Sequence, residues 1–321
     1  MSAPENADTP AATAILRHLK PVTGTDANNR RTQFFAIPVA GLRLDLVTGF
    51  DLYMRGSSAG KFVLYRRGEF VFTEQHRQTL EESRVRYLYV TREDQGLYAA
   101  YLENNIEEIV TDPSLESDQK SAMVYTCSSW MVRDLLQRPW AGENHRRAKR
   151  MVHNTVAHLL RGPGHLDSMV RMLETDYRLF THAVNVCVLG LGLGERAGLS
   201  IDELNELGTG LLLHDLGLSE MSPTIIGKLS RGETLTETEQ EAFENHPQTG
   251  VDLLKRTQKF GPAVQAVVLQ HHERSTGDGY PQGLRAPRIH LYAKICGLVD
   301  MFDVLTTGAG HQERLDTFAA L

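Results

Sequence analysis

The apolar positions along the chain follow three different periods, and each change of period marks a change of architecture. Residues 34–39, 50–54, 61–66 and 86–91 are short aromatic and β-branched runs that read as strands, with the glycine-serine stretch 56–60 as a loop between two of them. Residues 73–83 and 93–110 have helical polarity, so this part predicts a small α/β or α+β module ending near Val110. Ahead of it, residues 1–30 are rich in Ala, Thr, Asn and Pro without any period, and read as a disordered tail. Residues 121–136 and 143–160 are amphipathic helices interrupted at Pro139. They carry an apolar stripe of Met123, Leu136, Val152, Val156 and Leu159. A stripe between two domains predicts either a symmetric homodimer or docking on the same chain.

From residue 166 onward everything reads as helix. Residues 169–174 lead into an apolar helix over 177–197. Ser200 and Glu203 form a capping box opening a helix that reaches His214-Asp215. Thr236 and Glu239 form a second, for a helix expected to reach His246 before Pro247. Gly261-Pro262 opens a third that ends at His271-His272, and residues 289–306 form the last clear helix after a loop at 284–288. The predicted fold class is α+β overall: a tail at 1–30, a sensory or regulatory α/β module at 31–111, a helical connector at 112–165 and an all-α domain at 166–321.

Composition narrows the class. With 41% hydrophobic and 23% charged residues the chain has an ordinary globular balance. No stretch approaches the ~20 apolar residues of a membrane span. The start MSAPENADTP lacks the basic and apolar regions of a signal peptide, and the three cysteines lie far apart, so the expected compartment is a reducing cytoplasm. The net charge of −6 is uneven: from residue 176 on, 19 acidic and 12 basic residues leave −7. That half is a poor surface for a nucleic-acid polymer and suits bound cations, and it holds seven of the 13 histidines.

Seven residues of that half carry the candidate chemistry. His182, His214, Asp215, His246, His271, His272 and Asp300 fall on five separate helices, each within or at the end of an apolar run. Imidazole and carboxylate donors suit Fe, Mn, Zn or Ni, and the lack of cysteine ligands argues against a structural zinc knot. A buried carboxylate such as Asp215, after Leu-Leu-Leu-His, needs a cation or a donor. For any single histidine a hydrogen-bonded core residue is the commoner explanation; for seven together, metal binding is. Two other motifs carry less. Gly190-Leu-Gly-Leu-Gly194 lies inside a helix rather than after a strand, so close helix packing explains it, and the basic run at 146–150 reads as a solvated helix face.

The order of motifs is specific. Thr-His182-Ala, Leu-Leu-His214-Asp215, His246-Pro, His271-His272-Glu-Arg, Gly279-Tyr-Pro281 and Asp300-Met-Phe-Asp303 together resemble the HD-GYP family of metal-dependent phosphohydrolases over residues 177–307. Phe50-Asp-Leu-Tyr, Tyr89-Val-Thr and residues 98–101 resemble, more weakly, an N-terminal module found in some members. The resemblance implies hydrolysis of cyclic di-GMP at a site with two divalent transition metals, Fe or Mn first. It implies one metal on His182, His214, Asp215 and Asp300, and a second on Asp215, His246, His271 and His272. His214 and Asp215 become the catalytic pair, and Gly279, Tyr280, Pro281 and Asp303 the substrate side.

Departures from the family pattern lie around this set. Lysine usually follows His-Asp-x-Gly; here that position is Leu218. Arg178 stands where members with a third metal have glutamate, so two metals are expected. After Thr307 the usual Arg-Pro-Tyr-Arg is replaced by Gly308-Ala-Gly-His-Gln312, and the chain stops at Leu321, so the domain reads as C-terminally abbreviated. The expected activity is weak, with Leu218→Lys raising it. The alternative is a metal- or nucleotide-binding domain that signals through protein contacts.

Overall fold

The protein is described by a computed structural model, at residues 21–26, 30–56, 60–137, 143–173, 179–257, 259–308, 314–317 and 319–320. The expected tail up to residue 20, Pro139 and Arg178 lie outside these residues. Two compact units divide the chain: Met1–Cys127 with Asp167–Met172, and Ser128–Leu166 with Leu173–Leu321.

The first unit is built on a five-stranded sheet. Its strands are β1 (Val22–Thr25), β2 (Arg31–Pro38), β4 (Leu52–Arg55), β5 (Phe62–Arg66) and β7 (Tyr87–Thr91), in the order β1-β2-β7-β4-β5. All the ladders between these strands are antiparallel, with one isolated parallel bridge from Thr25 to Lys61, so the unit is α+β. A separate ribbon pairs β3 (Leu46–Val47) with β6 (Val71–Phe72). β1 corrects the expectation of a tail through residue 30. Its four residues carry no hydrophobic period, and pairing with β2 rather than their own pattern makes them a strand. Helices α1 (Glu74–Glu82) and α2 (Gln95–Thr111) fall where the sequence put them. Phe34 stacks on Phe62 at 3.9 Å, and Tyr98 and Tyr101 meet Phe50 edge-on at 5.5 Å, so the aromatic motifs of this module are core contacts.

Helix α3 (Ser117–Gln137) contains the division between the units. The second unit continues through α4 (Asn144–Leu159), and α5 (Pro163–Arg171) is divided between the two. It then runs through α6 (Leu179–Arg196), α7 (Ile201–Leu213), α8 (Pro223–Ser230), α9 (Glu237–Glu244), α10 (His246–Thr257), α11 (Pro262–Gln270) and α12 (Leu291–Thr307). Both capping boxes are present, with Ser200 accepting from the Glu203 amide and Thr236 from the Glu239 amide. The glycine motif of α6 lies against α7: a Cβ at Gly194 would come within 2.7 Å of Leu207 Cδ2.

The connector stripe is covered inside the chain. Met123 is buried in the first unit, Leu136 is half-buried, and Val152, Val156 and Leu159 are buried in the second. A Cβ on Gly208 of α7 would sit 2.7 Å from Val152 Cγ1, and Val156 and Leu159 face Leu191 and Leu204. α4 is therefore part of the helical unit, not a free connector. Of the side chains that motivated a homodimer, all but the half-buried Leu136 are buried within the chain itself. No helix among the described residues is long and apolar enough to cross a membrane.

Candidate metal centre

The candidate ligands sit mainly where helices end. α7 stops at Leu213, His214 is its C-cap, and Asp215 leads into a 3-10 turn, Leu216–Glu220. α11 stops at Gln270 with His271 as C-cap and His272 beyond it. Leaving the helix there lets two adjacent imidazoles turn to one side, and their centroids lie 4.1 Å apart. His246 was expected at the end of the preceding helix. Instead Asn245 caps α9, and His246 opens α10. Pro247 then falls in the first turn, where its missing N–H costs nothing. Gly217 follows from the same junction, because a Cβ there would collide with the His246 carbonyl. His182 lies on α6, and Asp300 and Asp303 lie on α12.

Each main imidazole is pinned through Nδ1 to an acceptor. His214 donates to the Leu211 carbonyl at 2.7 Å, His246 to Phe243 at 2.7 Å, and His271 to Val268 at 3.0 Å. His182 donates to Asp303 Oδ2 at 2.7 Å. A carbonyl can only accept, so the proton is on Nδ1 and the Nε2 lone pair is free to ligate. All four Nε2 atoms converge on Asp215. Its Oδ2 is 3.3 Å from His214 and 3.9 Å from His182; its Oδ1 is 3.3 Å from His246 and 3.6 Å from His271. One carboxylate thus serves two donor groups, one per oxygen. The ligand atoms within each group, His182-His214-Asp215 and Asp215-His246-His271-His272, lie within 4.8 Å of one another. Asp300 spans both, with Oδ1 3.1 Å from His182 Nε2 and Oδ2 3.9 Å from His272 Nδ1.

This donor set fits a divalent cation. His214 Nε2 is buried and, though near Asp215, has no hydrogen-bond partner. His246 Nε2 and His271 Nε2 face each other at 3.3 Å, two lone pairs that repel unless a cation lies between them. Titration tells the same story. Burial pushes the Asp215 carboxyl up, but His214 and the nearby His246 and His271 outweigh it and hold it well below the usual range. Burial also opposes ionisation of Asp300, yet His182 brings it to about 2. Burial lowers His271 and pushes His272 well down, leaving both neutral at pH 7. Burial lowers His214 too, but the Asp215 carboxylate prevails and raises it.

The segment after His272 closes one side. Gly279 lies so near the backbone of residues 272–274 that a Cβ would come within 2.7 Å of Glu273 Cα. Tyr280 is thereby set over His272, centroids 4.6 Å apart, and 6.5 Å from His246. Phe243 lies 5.1 Å from His246 and 6.4 Å from His272. Pro281 is exposed in the same loop.

Three expectations need correction or limits. Asp303, expected on the substrate side, is 2% exposed, and its oxygens are engaged by His182 and by Asn185 Nδ2 at 2.8 Å. Leu218 is 5% exposed, so a lysine there would be buried rather than presented to a phosphate, and the expected gain from Leu218→Lys loses its basis. Gly308 ends α12 in the left-handed conformation, φ +71°, and residues 309–313 lie outside the described ones. Sequence reasoning gave no role to Asn185, Phe243 or Glu273, although Asn185 is a polar residue three positions after His182 in an apolar helix and Glu273 stands within the His271-His272-Glu-Arg motif.

Buried carboxylates and imidazoles held between helix ends define a helical domain able to hold metal ions. Residues 167–321 match the family described as HD domain. That match makes the C-terminal 155 residues, just under half of the chain, similar to an HD domain. A cyclic di-GMP phosphodiesterase of Pseudomonas aeruginosa is 34% identical over 52% of this chain and 39% of its own length. The cyclic di-GMP phosphodiesterase response regulator RpfG of Xanthomonas campestris is 35% identical over 42% of this chain and 35% of its own. A 3'3'-cGAMP-specific phosphodiesterase of Vibrio cholerae is 31% identical over 40% of this chain and 28% of its own. The chain therefore spans well under half the length of these relatives. Bd1817, an HDG"Y"P protein from Bdellovibrio bacteriovorus, shares the fold, with a TM-score of 0.60 and 21% identity over 89% of this chain and 91% of that one.

Proposed function

We propose that the chain hydrolyses a phosphodiester of cyclic di-GMP, giving the linear dinucleotide or GMP, with two divalent transition metals, Fe or Mn. The carrying observation is the division of Asp215 between two donor groups, Oδ2 toward His182 and His214, Oδ1 toward His246 and His271. When bound, such a pair supplies an acidified water and neutralises phosphate charge. The chain supplies the rest. Ionised Asp215 and Asp300 hold the cations, the pinned Nδ1 atoms aim the imidazoles, and Asp303 and Asn185 keep His182 in line. Gly279, Tyr280 and Pro281 border the dinucleotide. The relatives' names support a cyclic dinucleotide as substrate, and a cytoplasmic role in bacterial second-messenger signalling goes with that reading.

One observation favours a slower or purely binding version of this site: the position after His-Asp-x-Gly is buried and apolar, Leu218. The test separates them. Protein loaded with Mn or Fe is analysed for bound metal and incubated with cyclic di-GMP and, in parallel, 3'3'-cGAMP, with products followed by chromatography. Metal with linear product supports hydrolysis. Metal with bound but uncleaved dinucleotide supports the binding version, and protein that takes up no metal removes both.

A further inference from the structure

Glu273 follows the last candidate ligand directly and touches none of the converging nitrogens through any contact of its carboxylate. Both of its oxygens are used on backbone. Oε1 accepts the Gln282 N–H at 2.7 Å, and Oε2 accepts the Leu284 N–H at 2.6 Å. Those amides belong to the returning limb of the loop, on either side of Gly283, and Gln282 supplies the first N–H after Pro281, which has none. Other ties across the loop are the isolated antiparallel bridge between Thr276 and Arg285 and longer backbone contacts, Tyr280 N–H to the His272 carbonyl at 3.3 Å and Ala286 N–H to Ser275 at 3.2 Å. Bonds to an ionised acceptor are roughly twice as strong as neutral ones, so the Glu273 pair is the main clasp. It also delivers Leu284 to its place beside Ile289 and Ala293, where all three are buried.

We propose that Glu273 is a positioning residue for the substrate wall: by clasping the amides of Gln282 and Leu284 it holds Tyr280 against His272, and it acts on the dinucleotide only through that ring. This rests on the reading that Tyr280 borders a cyclic dinucleotide. The chemistry of the clasp is demanding. Two N–H donors need two acceptors, and a glutamine offers one oxygen and turns an NH2 group toward the other donor. Glutamine therefore breaks the clasp without changing side-chain size, whereas aspartate keeps the charge and both acceptors on a shorter arm.

The experiment uses the full chain loaded with Mn, as wild type, Glu273→Gln, Glu273→Asp, Tyr280→Ala and the Glu273→Gln/Tyr280→Ala double variant. Hydrogen exchange of the Gln282 and Leu284 amides reads the clasp without reference to activity. Exchange there is expected to rise about tenfold or more in Glu273→Gln, with an intermediate value in Glu273→Asp and metal content as in wild type. KM for cyclic di-GMP, or Kd where the protein binds without cleaving, is expected to rise about tenfold with kcat changing far less. In the Tyr280→Ala background the same substitution should add less than about twofold, because the ring it positions is gone. Unchanged exchange overturns the clasp. Loss of metal in Glu273→Gln, or fully additive effects with Tyr280→Ala, overturns the route through the ring. If wild type neither binds nor cleaves cyclic dinucleotides, the functional reading fails, and the exchange and metal measurements still decide whether Glu273 holds this loop.

Discussion

The inner wall of the candidate site and its rim are built from different materials. Inside, four imidazoles are fixed by acceptors at 2.7 to 3.0 Å, three of them backbone carbonyls three residues earlier in the chain. At the rim, the position after His-Asp-x-Gly is a buried leucine, and Gly308 begins a Gly-Ala-Gly-His-Gln segment without lysine or arginine. The difference teaches that holding metal and gripping phosphate are separable demands. The first is met by helix ends that the fold supplies; the second needs long charged side chains that this chain does not place at those positions.

The comparison breaks most easily at Asp215. Asp215→Ala removes the carboxylate common to both donor groups, so both metals should be lost and any turnover should fall by at least ~10²–10³-fold. Elemental analysis decides it, and one metal retained per chain would show that the two groups do not depend on a shared bridge. Next in size is Asp303→Asn. It keeps the shape but leaves His182 without its charged acceptor, and metal affinity should drop ~10–100-fold, measured by competition with a chelating dye. An unchanged affinity would return Asp303 to the substrate side.

The rim is tested by Leu218→Lys. Burying the ammonium should lower stability by about 1–3 kcal/mol, seen as a lower thermal midpoint, with no rise in turnover. A faster enzyme of undiminished stability would mean that the side chain reaches the phosphates after all. The smallest effect is a control on the inner wall. Ser200→Ala removes an N-cap on α7, the helix that delivers His214, and should cost about 1 kcal/mol with metal content unchanged. Metal loss from that variant would show that the ligand cluster responds to general destabilisation, which would weaken every inference drawn from the other substitutions.

Much of this was legible in the sequence because it was written in local terms. Capping boxes, a glycine-proline start and apolar periods located the helices around His182, His214, His271 and Asp300, but not α5, α8 or α10, and the ordered motifs picked out the histidines and aspartates that the fold brings together. What escaped depended on contacts between distant residues. β1 is a strand only because β2 offers it an edge. His246 changed helices because Asn245 could end one, and a proline in a first turn allows the next to begin. Asp303 resembled a substrate group until His182, 121 residues away, claimed it. The stripe from Val152 to Leu159 looked homeless because its cover, the Gly208 face of α7, lies some fifty residues later in the chain.

The pinning of imidazoles by helix termini has a consequence for how the molecule opens. Helix ends are where fraying begins, and a hydrogen bond in the last turn is among the first to exchange with solvent. In this protein His214, His246 and His271 stand at such ends, on three different helices. An ion gathered by them would act as a rivet through the places that otherwise loosen first. Chelation should therefore register as local melting at the C-termini of α7 and α11 and the N-terminus of α10 well before the helices themselves come apart.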